Sequence, residues 1–164
     1  MPWSIDHRCG TKELMSGAAA TKRFRPGHRP SFGVVVVALA LLMAACSQQV
    51  IRTMSLVNDS RVAVGIAPLV FDAGVYFKAQ AFSKQLADAQ VLHHSTLPDR
   101  NDQPWLFLGE NVGTGWSLEQ VHTAFMNSPS HRANVLDPRF QFYGVGVTID
   151  GNGRYWVVHE FMQL

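Results

Sequence analysis

The sequence predicts an α+β domain, and three stretches carry that reading. Val75, Ala79, Phe82, Leu86 and Ala89 recur at helical spacing and give one apolar face. Ser117 with Gln120 three positions on is a capping box ahead of an apolar-periodic run. Residues 143–149 and 155–161 are rich in β-branched and aromatic side chains, and Asp150-Gly151-Asn152-Gly153 between them supplies a hairpin turn.

Taken in chain order, the first element is an apolar run over residues 32–45, preceded by Lys22, Arg23, Arg25 and Arg29. This is the n-region and h-region of an export signal. The run is shorter than the roughly 20 residues that a membrane span requires. It closes on Leu42-Met43-Ala44-Ala45-Cys46-Ser47, which resembles the lipobox of bacterial lipoproteins. That resemblance implies cleavage before Cys46 and a diacylglyceryl thioether on its sulfur. Met15 gives a more typical leader than Met1. The expected organisation is therefore a signal over residues 1–45, a polar lipid-anchored tether over 46–53 and a folded domain over 54–164.

Within the domain, residues 54–63 read as a first helix with Leu56, Val57 and Val64 inward, ended by Gly65 and Pro68. Asp72 is placed to cap a longer helix reaching about residue 91, whose outer face carries Lys78, Lys84 and Asp88. His93-His94-Ser95 then opens a polar loop through Pro104, and Trp105 to Leu108 returns to apolar character. Gly109-Glu110-Asn111-Val112 reads as a strand end or a tight turn. A helix over residues 118–127 would bury Val121, Ala124 and Phe125. Ser128 is suited to cap the short turn that carries His131, with Pro129 at its first position. In the last strand His159 and Glu160 alternate, so one of them is expected to face the core.

Charge and cysteine usage narrow the function. Six Lys and Arg against Asp6 and Glu13 leave the first 45 residues at +4, so the remainder contributes −2 to the overall +2. The basic balance belongs to the leader, and no basic patch remains to argue for nucleic acid. Cys9 falls in the leader and Cys46 is the lipidation residue, so the exported domain is expected to lack a disulfide. The glycines from Gly109 to Gly115 have no Lys after them, which removes a phosphate loop. The Asp150 loop lacks the later ligands of a calcium-binding EF-hand.

The residues with chemistry are His94, Glu110 and His131, on three separated segments. Two His and one Glu with an open position form a known zinc set, though neutral His suits other transition metals as well. His93 is the alternative to His94. Ser95, Asn111, Ser128, Arg132 and Asn134 are the flanking polar residues, with Arg132 and Asn134 expected to brace the loop. His122 is expected on a partly exposed helix face. Trp116 lies close enough to Glu110 in sequence to line a cleft. Trp156, Phe140, Phe142 and Tyr143 read as packing.

The ordered set Asn58-x-x-Arg61, Pro68-Leu69, His94-Ser95, Gly109-Glu110-Asn111-Val112-Gly113-x-Gly115, Phe125-Met126-Asn127-Ser128-Pro129-x-His131-Arg132-Ala133-Asn134-Val135-Leu136 and Gly144-Val145-Gly146-Val147 resembles the bacterial branch of the CAP superfamily, also called SCP-like. The match runs from about Met54 to Phe161. It implies a three-layer α-β-α sandwich with a cleft that holds two His and two acidic residues. His94, Glu110 and His131 take three of those positions. The second glutamate has no counterpart, because Phe125-Met126-Asn127-Ser128 stands where the wider family carries it. The resulting expectation is an exported protein, anchored on the outer face of a bacterial membrane, whose cleft binds a divalent metal such as Zn or a small lipid or envelope ligand. A metal-dependent hydrolase and a non-catalytic interaction protein are the alternatives, and no catalytic residue is assigned.

Overall fold

The computed structural model describes residues 48–96 and 104–164. The expected signal, Cys46 and most of the loop between Ser95 and Pro104 lie outside these residues. Helix α1 covers residues 48–62, β1 Val70–Phe71, α2 Ala73–Ala89, β2 Phe107–Gly115, α3 Leu118–Asn127, α4 Pro129–Val135, β3 Phe142–Ile149 and β4 Tyr155–Gln163. The strands form one sheet in the order β1-β3-β4-β2. Only the short β1 runs parallel to its neighbour, pairing Val70 with Phe142.

The sheet is covered on both sides, which makes the fold an α-β-α sandwich. On one face Val57 of α1, Val121 and Phe125 of α3 and Val135 of α4 pack on Tyr143, Val145, Val157 and Phe161. On the other, Ala79, Phe82 and Leu86 of α2 pack on Val112, Trp156 and Val158. Two glycines allow α2 to lie this close. A Cβ on Gly146 would stand 2.0 Å from the Ala79 carbonyl oxygen, and one on Gly144 2.3 Å from the Tyr76 nitrogen.

Local chemistry explains the element ends. Asp72 caps α2 by accepting from the Val75 N–H at 2.8 Å, and Gln90 ends it in the left-handed region. Ser117 accepts from the Gln120 N–H at 3.1 Å, while the Gln120 side chain reaches back to the Trp116 N–H at 2.6 Å. Asp150 organises the β3–β4 turn: it accepts from the Asn152 and Arg154 N–H groups and from Trp156 Nε1 and Gln90 Nε2. These bonds hold its carboxyl well below the usual carboxylate range.

Several expectations change. Residues 48–53, read as a polar tether, are helical, because Val50 and Thr53 are buried against the domain. Val64 and Ala89 are exposed, Ala124 likewise, and Ser83 and Ala87 take buried places on α2. Gly109-Glu110-Asn111-Val112 is the middle of a nine-residue strand, not a turn. Its glycines make room for aromatic rings: a Cβ at Gly113 would meet the Phe125 ring of α3 at 2.7 Å, and one at Gly109 the Phe140 ring, in the segment before β3, at 2.7 Å.

Candidate functional site

The site forms at the β2 edge of the sheet, where the segment after α2 and the short helix α4 approach Glu110. Glu110 is buried in the strand and its carboxylate is met from outside the sheet. Ser95 donates twice, from its N–H to Oε1 at 2.9 Å and from Oγ to Oε2 at 2.6 Å. His94 Nδ1 lies 2.7 Å from Oε1. The His94 side chain is 63 % exposed while that of Glu110 is 2 % exposed, so the carboxylate sits behind the imidazole. With Nδ1 turned to Glu110, the other ring nitrogen lies on the opposite edge of an exposed ring. His93 takes no part, and packs edge-on against Phe82 at 5.3 Å.

Asn111 and Asn134 fix α4 to the strand. Asn111 Nδ2 donates to the His131 carbonyl at 2.9 Å, and Asn134 Nδ2 donates to the Glu110 carbonyl at 3.1 Å and to Asn111 Oδ1 at 2.9 Å. His131 is half-buried, its ring 5.1 Å from that of Phe125. Burial, and then the nearby His94, push its pKa below the ordinary imidazole value. Ser128 ends α3 through its N–H and offers no side-chain cap to α4, and Arg132 is exposed.

The expected three-ligand set is not assembled as such. Glu110 commits both oxygens to Ser95 and His94, and among the described residues no group of three or more His, Cys, Asp or Glu is arranged to hold an ion. Glu110 instead orients His94, the arrangement commonly found behind a metal-binding imidazole.

Other residues differ from their expected places. Both His159 and Glu160 are buried, one on each face, because the sheet is covered on both sides. Glu160 is the direct register partner of Glu110, so a second buried carboxylate lies beside the first, supplied by β4. His122 does hold its expected partly exposed place on α3, with Nε2 2.9 Å from Ser60 Oγ of α1. Trp116 stands exposed at the far end of β2, under the Arg154 guanidinium, and does not line the cleft.

The motif residues Asn58 and Arg61, which carried no role in the sequence reading, hold the scaffold under the site. Asn58 exchanges two hydrogen bonds with the Leu69 backbone. Arg61 is buried and donates to the carbonyls of Ala67, Val135, Asp137 and Phe140. The Asn-x-x-Arg spacing, one turn of a helix, was the available signal.

A three-layer sandwich with a histidine held by a buried glutamate at one sheet edge fits a CAP-type domain. The sequence pattern of the cysteine-rich secretory protein (CAP) family matches residues 54–161, and the chain belongs to that family. It is 32 % identical over 110 residues to the uncharacterized protein YkwD of Bacillus subtilis (strain 168), covering 62 % of this chain and 43 % of that one. The chain thus spans less than half the length of this curated relative. Among solved structures it resembles an extracellular protein containing an SCP domain from Bacillus anthracis, with 22 % identity, a TM-score of 0.62 and coverage of 72 % and 41 %. It also resembles NaASP2, solved with Zn2+, at 16 % identity, a TM-score of 0.51 and coverage of 71 % and 78 %.

Proposed function

We propose that this is an exported, lipid-anchored CAP protein whose cleft binds a divalent metal, and through it or beside it a small envelope ligand. One observation carries the metal reading: Glu110 holds His94 by Nδ1 and leaves its other nitrogen on an exposed edge. Two neutral imidazoles suit zinc, and His94 and His131 would hold it with positions left over for water or ligand. Bound there, zinc would supply Lewis acidity. The fold neighbour solved with Zn2+ agrees with this choice. Export and anchoring rest on the apolar run and on the lipobox-like segment ending at Cys46. The B. anthracis neighbour, described as extracellular, agrees with export.

The hydrolase alternative needs a free base beside the metal. Glu110 accepts three hydrogen bonds through its two oxygens and offers none, so binding is the reading we favour.

The test is to purify the full chain without chelators and measure zinc by mass spectrometry, beside the His94→Ala, His131→Ala double variant. The chain should retain about one equivalent of zinc and the double variant none. Glu110→Gln should keep the fold and lose about 10- to 100-fold in zinc affinity, as for other carboxylates that orient a ligand histidine. If neither chain holds zinc after loading, the metal reading fails and the cluster serves loop order or a lipid ligand.

A further inference from the structure

A few of the exposed apolar residues of this domain gather where α1, β1 and α2 meet. Ile51 (64 % exposed), Phe71 (44 %) and Phe77 (68 %) come from α1, β1 and α2, yet they lie together. Val50, Ile51 and Met54 line a hollow of about 410 Å³ together with Phe71 and Tyr76. The Tyr76 ring contacts those of Phe71, at 5.6 Å, and Phe77, at 5.2 Å. Phe77 in turn shares a neighbouring hollow with Gln49. The surface therefore surrounds the first turn of α1, where the chain leaves the described domain toward Cys46.

That position decides what covers the surface. Only Ser47 separates Cys46 from Gln48, the first described residue, which is already helical. Even fully extended, the five steps from Cys46 to Ile51 span at most about 18 Å. A diacylglyceryl group on Cys46 must enter a bilayer, so the first turn of α1 has to stand at that bilayer's surface. The side of the domain brought there shows Ile51, Phe71 and Phe77 to solvent. Such residues lie in the interfacial zone of a membrane when a second anchor holds them there.

We propose that the bilayer carrying the Cys46 lipid is the partner of this surface, and that the domain lies on it through Ile51, Phe71 and Phe77. The proposal rests on the lipid-anchor reading above. It also orients the cleft. Strand β1, under the apolar surface, and β2, which carries Glu110, are the two edges of the sheet. They lie about three strand spacings, or roughly 14 Å, apart. With the β1 edge at the bilayer, the His94–Glu110 cleft opens away from it, toward a ligand in the space or wall beyond.

The experiment uses the full chain made in a bacterial host that processes lipoproteins. It is reconstituted into vesicles of phosphatidylethanolamine and phosphatidylglycerol, with plain or brominated acyl chains. Phe77→Trp and Ile51→Trp report on the apolar surface, and Ala133→Trp, exposed on α4 beside the cleft, reports on the opposite edge. Tryptophan fluorescence is compared with that of the parent chain, circular dichroism checks each fold, and a mass spectrum of the same sample reads the state of Cys46. Brominated lipid should quench the fluorescence gained in Phe77→Trp and Ile51→Trp and leave that of Ala133→Trp unchanged. Equal quenching at all three positions, or none at the first two on a lipidated chain, overturns the docking alone. The second result, joined by cross-linking into dimers or by retention of residues 32–45, would mean that another copy or the chain's own apolar run covers the surface. An unmodified Cys46 removes the anchor reading and the docking with it.

Discussion

His159 is fully buried among Phe125, Tyr143 and Phe161, and neither of its ring nitrogens has a hydrogen-bond partner among the described residues. Burial, reinforced by His122 and His131, drives its pKa down from 6.5 to about 3. The folded state therefore binds fewer protons than the unfolded chain below the unfolded value, and stability falls as pH drops through about 6.5 toward 3. Between pH 7 and 5 this one residue should cost about 2 kcal/mol. Chemical denaturation of His159→Phe should show a shallower loss across that interval; an unchanged pH slope would mean that other groups set the acid limit. Neither the sequence pattern nor the family resemblance pointed to this residue. Alternation showed that His159 and Glu160 face opposite sides, but not that both sides are covered.

The helices after α1 were the most legible elements, since their starts announce themselves locally. Asp72, the Ser117–Gln120 pair and Ser128-Pro129 mark starts that the structure reproduces closely. Strand β2 was not legible, because three of its nine residues are glycine and glycine argues for a turn when read alone. Their purpose appears only in three dimensions, where Phe125, Phe140 and Val121 occupy the space that side chains would fill. The same logic predicts mutations on β3. Gly146→Ala places a methyl against the backbone of Ala79 and should destabilise by about 1–3 kcal/mol or more, read as a drop in thermal midpoint. Gly151→Ala, in the open turn, meets no atom within 4 Å and should leave the midpoint nearly unchanged. The site was legible as a list of residues rather than as a geometry: His94, Glu110 and His131 stood out by type, whereas the hydrogen bonds that set Glu110 behind His94 depend on how the segment after α2 returns to the sheet edge.

For the whole molecule, Arg61 is the residue that joins distant parts. From α1 it donates to carbonyls after α1 itself, at the end of α4 and in the segment before β3. Arg61→Met keeps much of the volume and strands those carbonyls in the interior, which should cost at least about 3 kcal/mol in denaturant unfolding. Arg61→Lys should recover only part of this, since one ammonium cannot reach four acceptors as a guanidinium fork does. If Arg61→Met unfolds like the parent chain, water satisfies these groups and the tie is dispensable.

The strand order has a consequence for how such a chain is made. Strand β4 lies between β3 and β2, yet it is the last of the four to be synthesised, and β1 waits for a partner at residue 142. With these pairings so far apart along the chain, the sheet cannot close while its final strand is still in the ribosome, and closure afterwards is slow compared with that of a helical domain. The domain's helices also have little to pack against before then, because both cores are built on β3 and β4. A polypeptide bound for export must cross the membrane before it compacts. In a chain exported as proposed above, this topology would lengthen that interval.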